Sequence, residues 1–205
     1  HRAGLVHRDI KPANLMACRL GLQRDFLKVL DFGLVATVRE RGSDPKLTGV
    51  DAILGTPAYM APEQGRGDET DPRSDVYALG CVAYWLLTGT TVFQQTKAVP
   101  MILDHIGTPV IPPTKRLGRL ILPELEDLIL ECLATDPAER PPSAAELARR
   151  LRQIPLETPW TPERANAWWS SHEHSEGSGE RAATAATQTA AQHDDPGLAP
   201  TLQLK

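Results

Sequence analysis

Two polar strings separated by a pair of short apolar segments constrain this chain more than any other feature. HRDIKPAN runs from His7 to Asn14, and DFG occupies Asp31, Phe32 and Gly33. Between them, residues 14–18 and 26–30 each read as a short strand, with Gly21 in the turn. Such a hairpin returns the chain to its start and sets Asn14 and Asp31, 17 residues apart, side by side. The first string therefore opens the hairpin and the second closes it.

Downstream, the pattern is helical. Asp71-Pro72 opens a helix through Leu87 that Gly89 stops, and its stretch from Val76 to Leu87 is the most apolar in the chain. Leu125, Leu128, Ile129, Cys132 and Leu133 follow i, i+3, i+4, i+7, i+8 spacing and form one stripe. Ser143 and Glu146 form an S-x-x-E capping box ahead of Leu147, Leu151 and Ile154. No apolar run reaches 18 residues, so the sequence contains no membrane-spanning segment. The reading is a mainly helical unit with a small hairpin at its front.

Composition changes near Pro155. Residues 155–205 hold three basic and seven acidic side chains, which accounts for the whole net charge of -4. The remainder is formally neutral, which argues against a nucleic-acid partner. Residues 175–192 consist largely of Gly, Ser, Glu, Ala, Thr and Gln and cannot bury enough apolar area to offset ordering entropy. Before them, Thr161-Pro162-Glu163 reads as a helix start, with the helix running through Trp169. Trp160, Trp168 and Trp169 carry too much apolar area to stay in water without cost, so docking on the folded unit is expected. His172, His174 and His193 read as solvated. Cys18, Cys81 and Cys132 are scattered singly and suit a reducing compartment.

A third string, GTPAYMAPE, spans Gly55 to Glu63. With HRDIKPAN and DFG, in this order and near these separations, it resembles the protein-kinase signature set over residues 1 to about 154. The resemblance implies the α+β kinase fold: a mainly α-helical C-lobe with a small hairpin, its N-lobe missing, and a disordered C-terminal tail. On that reading residues 1–154 are a partial catalytic domain. Residues 155–174 are an extension with a short Trp-rich helix, and 175–205 are the disordered tail.

The roles implied by resemblance fit the physics of phosphoryl transfer, which needs positioning and charge neutralisation more than covalent chemistry. Asp9 would accept or orient the substrate hydroxyl proton. Lys11 would neutralise charge on the transferring phosphate of ATP. Asn14 and Asp31 would supply oxygen ligands to Mg²⁺. Met16 would lie beneath the adenine ring. His7 would pack in the core beneath Phe32, rather than act as a base. Asp75 would accept hydrogen bonds from the catalytic-loop backbone, and Glu63 would pair with Arg140. Arg8 would receive a phosphorylated activation segment, with Thr48 the expected phosphosite, Thr37 and Ser43 the alternatives, and Thr56 in the loop before A-P-E.

Lys11 and Thr56 resemble Ser/Thr rather than Tyr kinases, and the I-K-P-A-N and A-P-E-Q wording resembles bacterial members. Protein substrates with Ser/Thr acceptors, self-association for autophosphorylation and a cytoplasmic location follow from the same resemblance. The Gly-rich loop, the strand Lys and the helix-C Glu would all precede His1. The chain therefore reads as a fragment, expected to be a poor kinase alone, with a non-catalytic docking module as the alternative. Ala13 and Trp85 stand where Arg-directed kinases carry two Glu residues, so no strong preference for Arg two residues before the acceptor is expected.

Overall fold

The computed structural model describes residues 1, 5–21, 23–31 and 57–172. In chain order these form β1 (Leu15–Leu20), β2 (Gln23–Val29), α1 (Pro62–Arg66), α2 (Pro72–Thr88), α3 (Ala98–Gly107), α4 (Pro113–Leu117), α5 (Pro123–Cys132) and α6 (Ala144–Gln153). A last helix, α7, covers 162–172. The mainly helical architecture with one antiparallel hairpin is that of a kinase C-lobe.

The described residues form two compact units: His1–Cys18 with Leu27–Glu157, and Arg19–Phe26 with residues 158–172. The first is organised around α2. Asp71 caps its start by accepting from Arg73 N at 2.7 Å, and Pro72 supplies the preset first helical φ. Gly89 ends it in the left-handed region at φ 71°, where its N–H reaches Trp85 O at 2.8 Å. Between those ends α2 is buried on most of its circumference. Tyr77 and Tyr84 pack with Phe93, Met101 and Ile129; Val76 packs with Leu128, Cys132 and Leu147; Ala78 and Val82 pack with Ile10. Each large apolar side chain buried in this way contributes about 1.5–3 kcal/mol.

The expected α5 stripe is present: Leu128, Ile129, Cys132 and Leu133 are buried and Leu125 is partly buried. Gly80 allows α5 to approach α2 closely, since a Cβ there would meet Cys132 Cβ at 2.8 Å. Cys81 and Cys132 are buried free thiols, and burial pushes Cys132 up to about 12.

The structure corrects three local expectations. Both strands of the hairpin run further toward the tip than the sequence pattern suggests, because Gly21 at φ 59° turns the chain tightly. Ser143 caps α6 by accepting from Glu146 N at 3.2 Å, but the Glu146 carboxylate is engaged by Arg149 instead of closing the box. Leu151 is 44% exposed rather than buried. It lines an open apolar groove of about 550 Å³ shared with Leu15, Leu27, Val82, Leu128 and Leu147.

The second unit joins the hairpin tip to the C-terminal extension. Thr161 Oγ1 accepts from Arg164 N at 3.3 Å at the start of α7, which continues past Trp169 to 172. Trp160 and Trp169 both donate their indole N–H to Asp25, the Trp160 bond being 2.7 Å. Trp160 and Trp169 thus meet the hairpin tip, and Trp160 and Trp168 stay about half exposed. His172 is exposed but stacked on Trp168 at 4.0 Å between centroids. Among the described residues, no helix is long and apolar enough to cross a membrane.

Candidate active site

The loop from His7 to Asn14 is held from below by one carboxylate. Asp75, buried in the first turn of α2, accepts from His7 N at 2.7 Å and Arg8 N at 2.8 Å, and lies 2.9 Å from His1 Nε2. Burial pushes the Asp75 carboxyl above the usual aspartate range, and the two backbone N–H groups oppose that shift without cancelling it. Arg8 sits at φ 67°, a conformation that costs a non-glycine residue about 1–2 kcal/mol. Its N–H is tied to Asp75, and its carbonyl accepts from Gln64 Nε2 at 2.9 Å, so the strained turn is fixed on both sides. Ile10, buried against Ala78 and Val82, anchors the middle of the loop.

His7 is 4% exposed and joins the loop to the far end of the hairpin. Its Nδ1 accepts from Asp9 N at 3.3 Å, which leaves the ring proton on Nε2 to donate to Leu30 O at 2.9 Å. Leu30 N in turn donates to Asn14 O at 2.9 Å. These two bonds close the base of the hairpin and set Asp31 next to the loop. Asp31 is exposed, at φ 55°.

Two donors converge on one oxygen of Asp9. Lys11 Nζ donates to Oδ2 at 2.7 Å, and Asn14 Nδ2 donates to the same atom at 3.0 Å and to Asp9 O at 2.8 Å. The Asp9 side chain remains 38% exposed and Lys11 is 19% exposed, so the pair is fixed yet reachable. Because the Asn14 amide nitrogen is spent on Asp9, its Oδ1 remains an oxygen donor. That oxygen and the Asp31 carboxylate are both hard oxygen donors, and in that chemistry the residues present fit Mg²⁺. Met16 stands half exposed on β1. Phe32, Thr37, Ser43, Thr48 and Thr56 lie outside the described residues.

At the same N-terminal end of α2, Glu63 and Arg140 form a buried bidentate pair with bonds of 2.8 and 2.9 Å. Arg140 also donates to Ala134 O, Arg73 O and Thr135 O, which occupies all five of its N–H groups. Its guanidinium lies 4.8 Å from the Tyr77 ring centroid. Burial pushes the Glu63 carboxyl up, but the bonds from Arg140 and Ser74 outweigh it and hold the group below the usual glutamate range. The pair ties the segment 57–66 to α2 and to residues 134–140.

Two supporting residues escaped the sequence reading. Gln64 braces Arg8 from α1, and its only sequence signal was its place after A-P-E. His105 of α3 is 3% exposed, bonds Tyr77 Oη at 2.7 Å through Nδ1, and meets the Phe93 ring edge-on. Burial pulls it down to about 4, so it is neutral at physiological pH. A lone His in an apolar helix gave no signal of this contact.

Residues 1–151 match the family model of the protein kinase domain. The chain is 41% identical over 158 residues to the serine/threonine-protein kinase pkn3 of Myxococcus xanthus, covering 77% of this chain and 29% of the relative. It is 38% identical over 154 residues to the serine/threonine-protein kinase PknB of Mycolicibacterium smegmatis, covering 75% of this chain and 24% of the relative. PknB of Mycobacterium leprae matches at the same identity over the same length. The chain thus spans about a quarter of the length of these curated relatives. On the family match and these identities, the chain belongs to the protein kinase family, in its bacterial Ser/Thr type.

Proposed function

We propose that the intact protein containing this chain transfers the γ-phosphoryl group of ATP to Ser or Thr hydroxyls of proteins. The observation that supports this most is the convergence of Lys11 and Asn14 on Asp9 Oδ2, beside the hairpin end that carries Asp31. Protein kinases generally use ATP with Mg²⁺, and when bound the ion neutralises charge on the phosphates. Asn14 and Asp31 would hold it.

Asp9 takes the proton of the acceptor hydroxyl as that oxygen bonds to the γ-phosphorus. The bond from that phosphorus to the bridging oxygen breaks, and ADP leaves with the electron pair. Lys11, already fixed beside Asp9, carries positive charge to the place where phosphate charge would gather. His7 holds the loop to Leu30 and takes no part in proton transfer. Arg8, exposed beside Asp9, is the proposed partner for phosphate on Thr48, which would add about -1.5 to -2 charge. The kinase domain would act in the cytoplasm on protein substrates, and self-association would serve autophosphorylation. Ala13 and Trp85 leave no acidic pair for an Arg two residues before the acceptor.

The test separates chemistry from binding. In the intact protein, Asp9→Asn should abolish phosphorylation with nucleotide affinity retained, whereas Asp31→Ala should also weaken Mg²⁺-dependent nucleotide binding. Phosphorylation that survives Asp9→Asn would contradict the role given to Asp9, whereas an intact wild-type protein that transfers no phosphate would favour a docking module without catalysis.

A further inference from the structure

The C-terminal extension meets the hairpin tip through an unusual bond pattern. Trp160 Nε1 donates to Asp25 Oδ2 at 2.7 Å, and Trp169 Nε1 donates to Asp25 Oδ1. Indole nitrogens are donors only, and here two of them saturate the two oxygens of one carboxylate. Asp25 takes a left-handed φ of 58° inside β2, a conformation that Asp tolerates better than most residues.

Each indole is braced by its own segment. Trp169 meets Trp168 edge-on at 5.2 Å between centroids, and Trp168 is stacked on His172 at 17° between planes. Behind Trp160, the Arg164 guanidinium lies 5.8 Å from the ring centroid and donates to Thr158 O and Pro159 O. Both donors are therefore braced by contacts within their own segment, which lowers the ordering cost of meeting the carboxylate. The hydrogen bonds from Trp160 and Trp169 also hold the Asp25 carboxyl below the usual aspartate range.

We propose that residues 158–172 form an intramolecular clip whose recognised group is the Asp25 carboxylate, so that the extension grips the tip of the β1–β2 hairpin. The strands that meet at this tip begin beside Asn14 and finish two residues before Asp31. Gripping the tip therefore restrains the one element that joins those two residues. An amide would not replace the carboxylate, because its NH₂ would oppose one indole N–H.

The clip is tested in the full 205-residue chain by the indole resonances of its four tryptophans and by tryptic cutting after Arg164. Asp25→Ala should remove exchange protection from the Trp160 and Trp169 indoles, leave Trp85 unchanged, and speed cutting at Arg164 roughly tenfold. Asp25→Asn should release one indole of the two. Trp160→Phe with Trp169→Phe keeps the apolar rings without their N–H groups and should speed the same cut, which decides the matter if Asp25→Ala does not fold. Indole protection and cutting rate that stay at wild-type values in these variants would overturn the clip.

Discussion

The helical unit and the hairpin-tip unit each turn on one carboxylate, and the two are held in opposite ways. Glu63 is buried and faces a guanidinium whose five donors are all occupied and which lies against the Tyr77 ring. Asp25 is exposed and is met by two neutral indole donors from a separate stretch of chain. Stranding a buried charge is costly, so the first arrangement locks the fold. An exposed carboxylate keeps water as an alternative partner, so the second contact opens and closes at small cost. Stability is concentrated where nothing needs to move, and an adjustable contact lies on the hairpin that bears the proposed metal ligands.

Arg140→Ala should break this comparison at its strong end. Stranding Glu63 should cost about 3–5 kcal/mol in urea denaturation, whereas replacing both partners with apolar residues of similar volume should recover much of the loss. A cost under about 1 kcal/mol would show that the pair is not what locks the unit. Gly80→Ala should come next, at about 1–3 kcal/mol, because its methyl would press on Cys132 and Leu133 across the α2–α5 contact.

Acid should act on Glu63 with a defined sign. Its folded-state value is depressed, so its stabilisation is complete above the usual glutamate range and disappears as pH falls through the lower folded value. Asp75 works oppositely. Its raised value means that its contribution is present below the usual aspartate range and is lost as pH rises through the folded value. Denaturation midpoints taken from neutral pH downward should fall more steeply for the wild type than for Glu63→Gln. Parallel curves would contradict the assignment. The smallest effect should come from Asp25→Ala, which should leave the thermal midpoint of the helical unit unchanged while the indole signals move. A large drop in that midpoint would mean that the clip is structural.

Legibility in the sequence followed how local each determinant is. Asp71-Pro72 and Gly89 mark the ends of α2 with their own side-chain and backbone preferences, so both ends were readable. The α5 stripe was readable from its period. Asp9, Lys11 and Asn14 fall within one short string, and their mutual hydrogen bonds are local. What could not be read depends on competition or on distance. Glu146 had two available partners and took Arg149 rather than the helix N-terminus. His105 finds Tyr77 only through tertiary packing, 28 positions along the chain. Asp25 looked like any surface aspartate, because the indoles it meets lie 135 and 144 residues away. The extension helix was visible, but its target was not.

The most direct test of the central claim compares wild-type and Asp9→Asn forms of the intact protein for two quantities: the initial rate of phosphate transfer to a Ser/Thr protein acceptor, and nucleotide affinity. The account predicts a rate lower by about 10²–10⁴-fold, the range for losing a general base, with affinity kept within roughly twofold. An unchanged rate would contradict the assignment of Asp9 as the residue that receives the acceptor proton.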